Sequence, residues 1–461
     1  MSENAQPSTT NRSTTPTSSA FQSYVGENWA ERTDAPPQLR EHSKYAAARR
    51  HALSAKFPGE RLIFEAGPMQ VRSNDTFYIY RAHSDFAWLT GWGSDSEPDA
   101  VLVMEPSGAG HESTLYFRAP AGRDSDEFYA NPDIGEFWVG PRPTLAHVAG
   151  ELGLKVLDLA EFTAAGATKV TTRTVPGDEE LAREVAEMRL VKDAYEIGQM
   201  QIAVEATSRG FSDIVRVLPM IVGNPRGERI IEGAFASRAR LEGNGVGYET
   251  IAAAGAHACI LHWIKNDGTV NAGELVLIDA GVELESYYTA DITRTLPASG
   301  KFSPVQRKVY EAVREAADAA FAVIKPGITF HEVHDAAMEV IAAKVAEWGF
   351  LPVTAEESLK PENQHHRRYM VHGTSHHLGI DVHDCAAARR EMYKDGIVSE
   401  GMVFTVEPGL YFQPDDLTVP EEYRGIGVRI EDDIVVTKNG AINLSAGIPR
   451  TADEVEAWLR G

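Results

Sequence analysis

Gly273-Glu-Leu-Val-Leu-Ile-Asp279 and Asp291-Ile-Thr-Arg-Thr-Leu296 decide how this chain is read. The first run leaves a glycine turn, stays apolar and ends on an aspartate, the pattern of a buried strand. The chain turns through residues 282–288 and returns with a run that begins on an aspartate. Paired as an antiparallel hairpin, the two strands present one aspartate each at the same end. Neighbouring strands lie about 5 Å apart, so the two carboxylates could share a pair of metal ions. Without cations they would repel, and one pKa would rise. Taken alone, the pattern fits equally well a capping aspartate beside a surface one.

Motifs further along the chain add to this pair. Val403-Phe-Thr-Val-Glu407 reads as a strand that Pro408-Gly409 stops just after a carboxylate. Val428-Arg429-Ile430-Glu431 alternates, so Arg429 and Glu431 share one face. Arg429 there could orient the glutamate, receive a substrate carboxylate or carbonyl, or form a surface ion pair. His372-Gly-Thr-Ser-His376-His377-Leu-Gly379 and Asp381-Val-His383-Asp384 gather four histidines between glycines. His376 is expected as a ligand, His372 and His383 as hydrogen-bond donors to a substrate carbonyl, and His377 as exposed. His262, in Ile-Leu-His-Trp, is a further donor candidate or a structural residue. Asp279, Asp291, His376, Glu407 and Glu431 thus form a set of four carboxylates and one imidazole. Two hard divalent cations can be held by such a set if two carboxylates bridge, and Mn²⁺ is favoured. A serine triad lacks its Gly-x-Ser-x-Gly elbow, and no His-Glu-x-x-His motif is present. The Gly243-Asn-Gly-Val-Gly247 run lacks the full dinucleotide and Walker patterns and reads as a turn.

Composition bounds the surroundings. The 461 residues exceed one ordinary domain, and 67 acidic against 44 basic residues give a formal charge of −23. That surplus argues against a nucleic-acid or anionic-membrane partner. Two cysteines, Cys259 and Cys385, make no disulfide framework, so a cytoplasmic location is expected. No apolar run reaches the roughly 18 residues of a membrane helix, and no signal peptide is evident.

Three segments are expected. Residues 1–36 read as a disordered tail, since Ser and Thr make up half of the first twenty and leave little apolar surface to offset ordering. Residues 37–176 read as a small α/β domain, with a helix over 39–56, strands near 61–65, 76–80, 100–104 and 114–117, and a helix over 144–152. Pro176-Gly177-Asp178 breaks the pattern, and Asp178 can cap the next helix. Residues 177–461 then hold one or two helices from Glu180, the motif-bearing strands, and Ala-rich helices over 309–324 and 331–348.

The order Asp, Asp, His, Glu, Glu closely resembles the aminopeptidase P branch of the pita-bread metallopeptidases. The resemblance rests on Leu-Ile-Asp-Ala-Gly, Asp-Ile-Thr-Arg-Thr, Gly-Ile-Asp-Val-His-Asp, Thr-Val-Glu-Pro-Gly-Leu-Tyr and Gly-Val-Arg-Ile-Glu-Asp-Asp. It covers residues 38–461 and extends to Ser84-Asp-Phe-Ala-Trp-Leu-Thr-Gly91. It implies an α/β (α+β) chain with a creatinase-like N-terminal domain and a pita-bread catalytic domain, assembled as a homodimer or homotetramer. It implies removal of an N-terminal residue that precedes proline. Carried over, Asp291 and Glu431 bridge two metals, Asp279 serves one, and His376 and Glu407 serve the other. Glu407 is also the general base. His262, His372, His383, Arg429 and Tyr411 line the substrate site. Two departures stand out: a loop one residue longer between the aspartates, and Cys-Ala after Asp384 in place of the frequent Val-Gly. The alternatives are an Xaa-Pro dipeptidase of the same fold, a methionine aminopeptidase and a metal-free binding module.

Overall fold

The computed structural model describes residues 15–32, 35–123, 125–163 and 171–461. The chain divides into two compact units after Leu181. In the first unit a mixed sheet runs in the order Lys155–Asp158, Gly110–Phe117, Val101–Ser107, Arg61–Glu65, Thr172–Val175. Ile63, Val101 and Val103 are buried on one face, where Tyr116, Leu159 and Phe162 cover them. The helices Ser43–Ser54 and Leu145–Leu152 fall within the expected stretches. The strand expected over 76–80 shrinks to Thr76–Phe77, paired with Val71–Ser73 outside the main sheet. The residues of that ribbon are exposed apart from half-buried Phe77, so little burial holds it.

The tail also differs from expectation. Residues 1–14, 33 and 34 lie outside the described residues. Within 15–32 the chain forms a helix, Ser19–Gly26, capped by the Ser18 side chain on the Phe21 N–H. Phe21 meets Tyr129 edge-on at 5.1 Å, and Trp29 meets Phe128 at 5.8 Å. Those aromatic rings supply apolar surface that the serine and threonine content conceals.

The second unit is built around the hairpin. Leu275–Ala280 pairs with Ile292–Pro297, Asp279 lying opposite Thr293, and Ile251–Ala254 joins on the other side. Gly281 has to be glycine here, because a Cβ would fall 1.6 Å from the Ala290 carbonyl oxygen. A second sheet runs Val403–Val406, Asp432–Thr437, Gly440–Asn443. Between them the ribbon Gly409–Tyr411 with Gly427–Arg429 stops before Glu431, so the expected continuous strand through 428–431 is broken. Fully buried Arg294 ties the two sheets together. It donates to the Glu431 carbonyl at 2.7 Å, to the Asp432 carboxylate at 2.7 Å and to the Pro449 carbonyl at 2.9 Å. Two helix pairs flank these sheets: Ala194–Ile221 with Gly227–Glu242, and Pro304–Val323 with His331–Glu347. Gly243–Gly247 is a turn ending in the two-residue strand Gly245–Val246.

One buried ion cluster fixes the histidine loop. Asp384 accepts from Lys192 Nζ at 2.7 Å and from Arg189, and both cations are buried. Burial alone would raise the Asp384 pKa, but Arg189 and Lys192 outweigh it and hold the carboxyl well below the usual range. A depressed folded-state pKa gives stability that is complete above the unfolded value of about 3.9 and is lost as pH falls. Asp384→Ala leaves buried Lys192 without its carboxylate and Arg189 with Asp381 alone, and should cost about 3–5 kcal/mol at neutral pH. Urea denaturation should show that gap, and the gap should narrow as the pH drops below about 4.

Candidate metal centre

The hairpin end, the second sheet and the histidine segment converge on one cavity of about 460 Å³. Asp279 ends one strand, and Asp291 stands one residue before the next. Glu407 follows Val403–Val406, and Glu431 sits in the break between strands. Residues 374–378 run beside 403–407, with Glu407 N–H donating to Thr374 O at 2.8 Å and Thr405 N–H to His376 O at 3.0 Å. His376 is thereby fixed opposite the aspartates. One ligand atom each from Asp291, His376 and Glu431 lie within 4.8 Å of one another. His376 Nε2 is 3.3 Å from Asp291 and 3.7 Å from Glu407.

The electrostatics fit cation binding. Asp279, Asp291 and Glu431 are buried, and Glu407 is half-buried. Burial, then the charges of Asp291, Glu407 and Asp279, push Glu431 well above the usual range. Glu407 rises to about 7 for the same first reason, burial. Burial would lower His376, but the Asp291 hydrogen bond and the Glu407 charge outweigh it and raise it to about 9. So many facing carboxylates fit a site that takes positive charge. His376 Nδ1 lies 3.2 Å from the His377 carbonyl, which can only accept. That keeps a proton on Nδ1, so a cation bound at Nε2 would displace only the proton that Nε2 shows to the acids and leave the tautomer of a metal-binding imidazole.

Arg429 organises the other wall. Its guanidinium reaches Thr293 Oγ1 at 3.1 Å, the Tyr411 hydroxyl at 3.0 Å and the Asp279 carboxylate. Thr293 in turn donates to Glu431 at 2.6 Å. The Tyr411 hydroxyl accepts from Arg429 and lies 2.8 Å from His372 Nε2, while His372 Nδ1 faces the Gly373 carbonyl at 2.7 Å. Both nitrogens of His372 are therefore engaged, and burial, then Arg429, drives its pKa down to about 3. The expected donor to a substrate carbonyl is instead a neutral link in a chain. His383 remains available: it is exposed, and its ring stands edge-on to His376 at 4.5 Å. His262 is exposed on the cavity wall. His377, expected at the surface, is buried and stacked on Phe330 at 4.6 Å, because its ring completes an aromatic layer with Tyr393.

Two cavity groups and one behind the cavity escape the sequence reading. The Tyr248 hydroxyl is shared between Asp279, at 2.7 Å, and Asp291. Lys394 lines the cavity and donates to the Ser375 carbonyl at 3.4 Å. Buried Asp433 receives the Asp291 N–H at 3.2 Å. Tyr248 lies in an unremarkable Gly-Tyr-Glu run, and Lys394 in a charged surface-like stretch. Asp433 could have been suspected from the doubled acid after Glu431.

Residues 198–438 match the model of metallopeptidase family M24, and residues 46–174 match the aminopeptidase P N-terminal domain. The chain belongs to metallopeptidase family M24. It is 52% identical to Xaa-Pro aminopeptidase 1 of Streptomyces coelicolor, over 90% of this chain and 86% of that one. It is 33% identical to the Xaa-Pro aminopeptidase of Escherichia coli, over 89% and 96% of the two chains. Among solved structures, Pseudomonas aeruginosa aminopeptidase PepP superposes with a TM-score of 0.79 at 33% identity, covering 92% of this chain and 99% of that one. Escherichia coli aminopeptidase P with the inhibitor Pro-Leu gives 0.79 at 31%, covering 91% and 99%. As an M24 member the chain is a metal-dependent peptidase with an aminopeptidase P N-terminal domain before its pita-bread catalytic domain.

The Arg429 fork makes a test. A lysine at 429 is a single point charge and cannot reach Thr293, Tyr411 and Asp279 together. Arg429→Lys should lower kcat/KM for peptide hydrolysis by about 100-fold through misplacement. Metal content by elemental analysis should stay at the wild-type level, and wild-type turnover would show the fork to be dispensable.

Proposed function

We propose that this protein is an Xaa-Pro aminopeptidase, releasing the N-terminal residue of peptides that carry proline second. The observation that carries the proposal is the set of four carboxylates converging with His376 on one cavity, Nε2 aimed at the acids. Asp291 and Glu431 would hold both cations, Asp279 one of them, and His376 with Glu407 the other. Bound there, two divalent cations supply Lewis acidity and lower the pKa of water toward neutrality. Mn²⁺ is the cation proposed, since the donor set is mostly hard oxygen.

The chain's own groups do the rest. Glu407 takes the proton of the attacking water on a carboxylate oxygen and passes it to the departing proline nitrogen. His383 donates to the scissile carbonyl oxygen as charge develops. His372 and Tyr411 hold Arg429, and Arg429 holds Asp279 and, through Thr293, Glu431. The acids suit the free α-amino group, which confines cleavage to the terminus. The proline amide has no N–H, so the apolar wall of Ile251, Leu261, Ile264 and Val382 reads ring shape instead.

A second reading, an Xaa-Pro dipeptidase, draws support from Lys394. Among the described residues it forms no ion pair, and a cavity ammonium suits the carboxylate of a very short substrate. The cytoplasmic reading is supported by Cys259 and Cys385, both buried and unpaired. No described helix is long and apolar enough to cross a membrane. Assembly into dimers or tetramers is supported by the exposed run Phe137, Trp138 and Val139.

Incubation with Mn²⁺ and an Xaa-Pro-Xaa peptide should release the first residue, and a chelator should abolish release. Asp291→Ala should lose activity and bound metal together. Cleavage of Xaa-Pro dipeptides alone would overturn the aminopeptidase reading in favour of the dipeptidase. Cleavage that survives both chelation and Asp291→Ala would overturn metal-assisted hydrolysis.

A further inference from the structure

Residues 255–268 leave the strand Ile251–Ala254 and carry Leu261, His262 and Ile264 to the cavity wall. Much of this stretch is irregular: a short 3₁₀ turn, Gly255–Cys259, then a loop with no regular element. His262 itself is exposed, and among the described residues no hydrogen bond holds its ring. The position of that ring is therefore set by the backbone beneath it. An exposed loop of this kind is ordinarily the mobile part of a structure, so something must hold it.

The hub of that hold is one side chain. Glu228 sits in the first turn of the helix Gly227–Glu242 and is fully buried. Its carboxylate faces four donors. One oxygen takes the Ala254 N–H at 2.8 Å and the His257 Nδ1 at 2.8 Å. The other takes the Trp263 indole N–H at 2.9 Å and the Gly268 N–H at 2.6 Å. These donors lie at the loop's start, early in it, beside His262 and at its end. His257 and Trp263 also stack on each other at 3.8 Å. Gly268 is glycine because a Cβ there would fall 2.7 Å from the Glu228 carboxyl carbon. Asn266 adds a second tie, from its side chain to Ala252 N–H and Thr250 O. A buried carboxylate with all its lone pairs taken is a rigid hub, and removing it would leave four donors unsatisfied.

We propose that Glu228 is a positioning residue for catalysis, acting through Trp263 on His262. It touches no substrate and no ligand of the metal centre. The idea rests on the proposed function and adds to it that His262, on the cavity wall, donates a hydrogen bond at the substrate site. Glu228 sets where that donor stands, and Trp263, the next residue in sequence, transmits the placement.

A double-mutant cycle on the metal-loaded, full-length protein tests this, with an Xaa-Pro-Xaa peptide as substrate. His262→Ala should lower kcat by about 100-fold, as loss of one transition-state donor does. Glu228→Gln keeps the volume but turns one acceptor into a donor that faces N–H groups. It should lower kcat by about 10-fold, with KM within about twofold and metal content unchanged. On the His262→Ala background the same substitution should cost less than about twofold, because the donor it places is gone. Trp263→Phe keeps the stack and removes only the indole N–H; it should show a smaller loss with the same dependence on His262. It replaces Glu228→Gln in the cycle if that variant does not fold. Equal losses on both backgrounds, or a loss that tracks metal content, would overturn the proposal and make Glu228 merely structural. Full activity of Glu228→Gln would overturn it too. Full activity of His262→Ala would instead strike the role of His262 itself, and the positioning proposal with it.

Discussion

Four carboxylates, three of them buried, crowd one cavity, and their mutual repulsion is the constraint on which the rest of the second unit depends. Nothing in a chain collapses spontaneously onto such a cluster. Each acid has to be delivered by a piece of backbone whose position is decided elsewhere. Asp279 and Asp291 are delivered by strand pairing, which would hold whatever side chain stood at those positions. Glu407 and Glu431 come from the other sheet, and Arg294 ties that sheet to the hairpin through carbonyl groups and Asp432 rather than through the ligands. Inside the cluster, Arg429 and the shared hydroxyl of Tyr248 offset part of the repulsion. The remaining negative charge is what gives the site its appetite for cations.

This division of labour explains what could be read from the residues. The hairpin was legible because apolar runs ending on aspartates leave a clear trace, and Asp279 does face Thr293 in the expected antiparallel register. The glutamates were legible because proline and glycine stop the strand just beyond Glu407. Tyr248, Lys394 and Glu228 were not, since their importance lies in partners 31 or more residues away for Tyr248 and 26 or more for the carboxylate of Glu228, and local pattern carries no record of that. His372 shows the finer limit. Its residue type suggested a donor, but the Gly373 carbonyl and Tyr411 hydroxyl decide where its proton sits. His377 looked like its neighbours and became part of an aromatic layer. In the tail, serine and threonine dominated the composition, while two aromatic residues decided the structure.

The site is also layered in what its parts can tolerate. The acids and His376 must present particular atoms, so their identity is tied to chemistry. Behind them stand groups that present nothing to a substrate but fix direction: Thr293 on Glu431, the His377 carbonyl on His376, and Glu228 beneath the loop of His262. Asp384 with Arg189 and Lys192 performs a similar service for the segment that carries His383. Each of these supports is buried and charged or fully hydrogen-bonded, which makes it stiff and costly to leave half-satisfied.

Arg294 has one more consequence. Its partners include the carbonyls of Pro449 and Glu431, 155 and 137 residues further along the chain. The Arg294 tie between the two sheets therefore cannot close until residue 449 has been made. Contacts of such long range form late. A growing chain holds its hairpin acids long before Glu407 and Glu431 arrive, so the ligand set is complete only once residue 431 has been made.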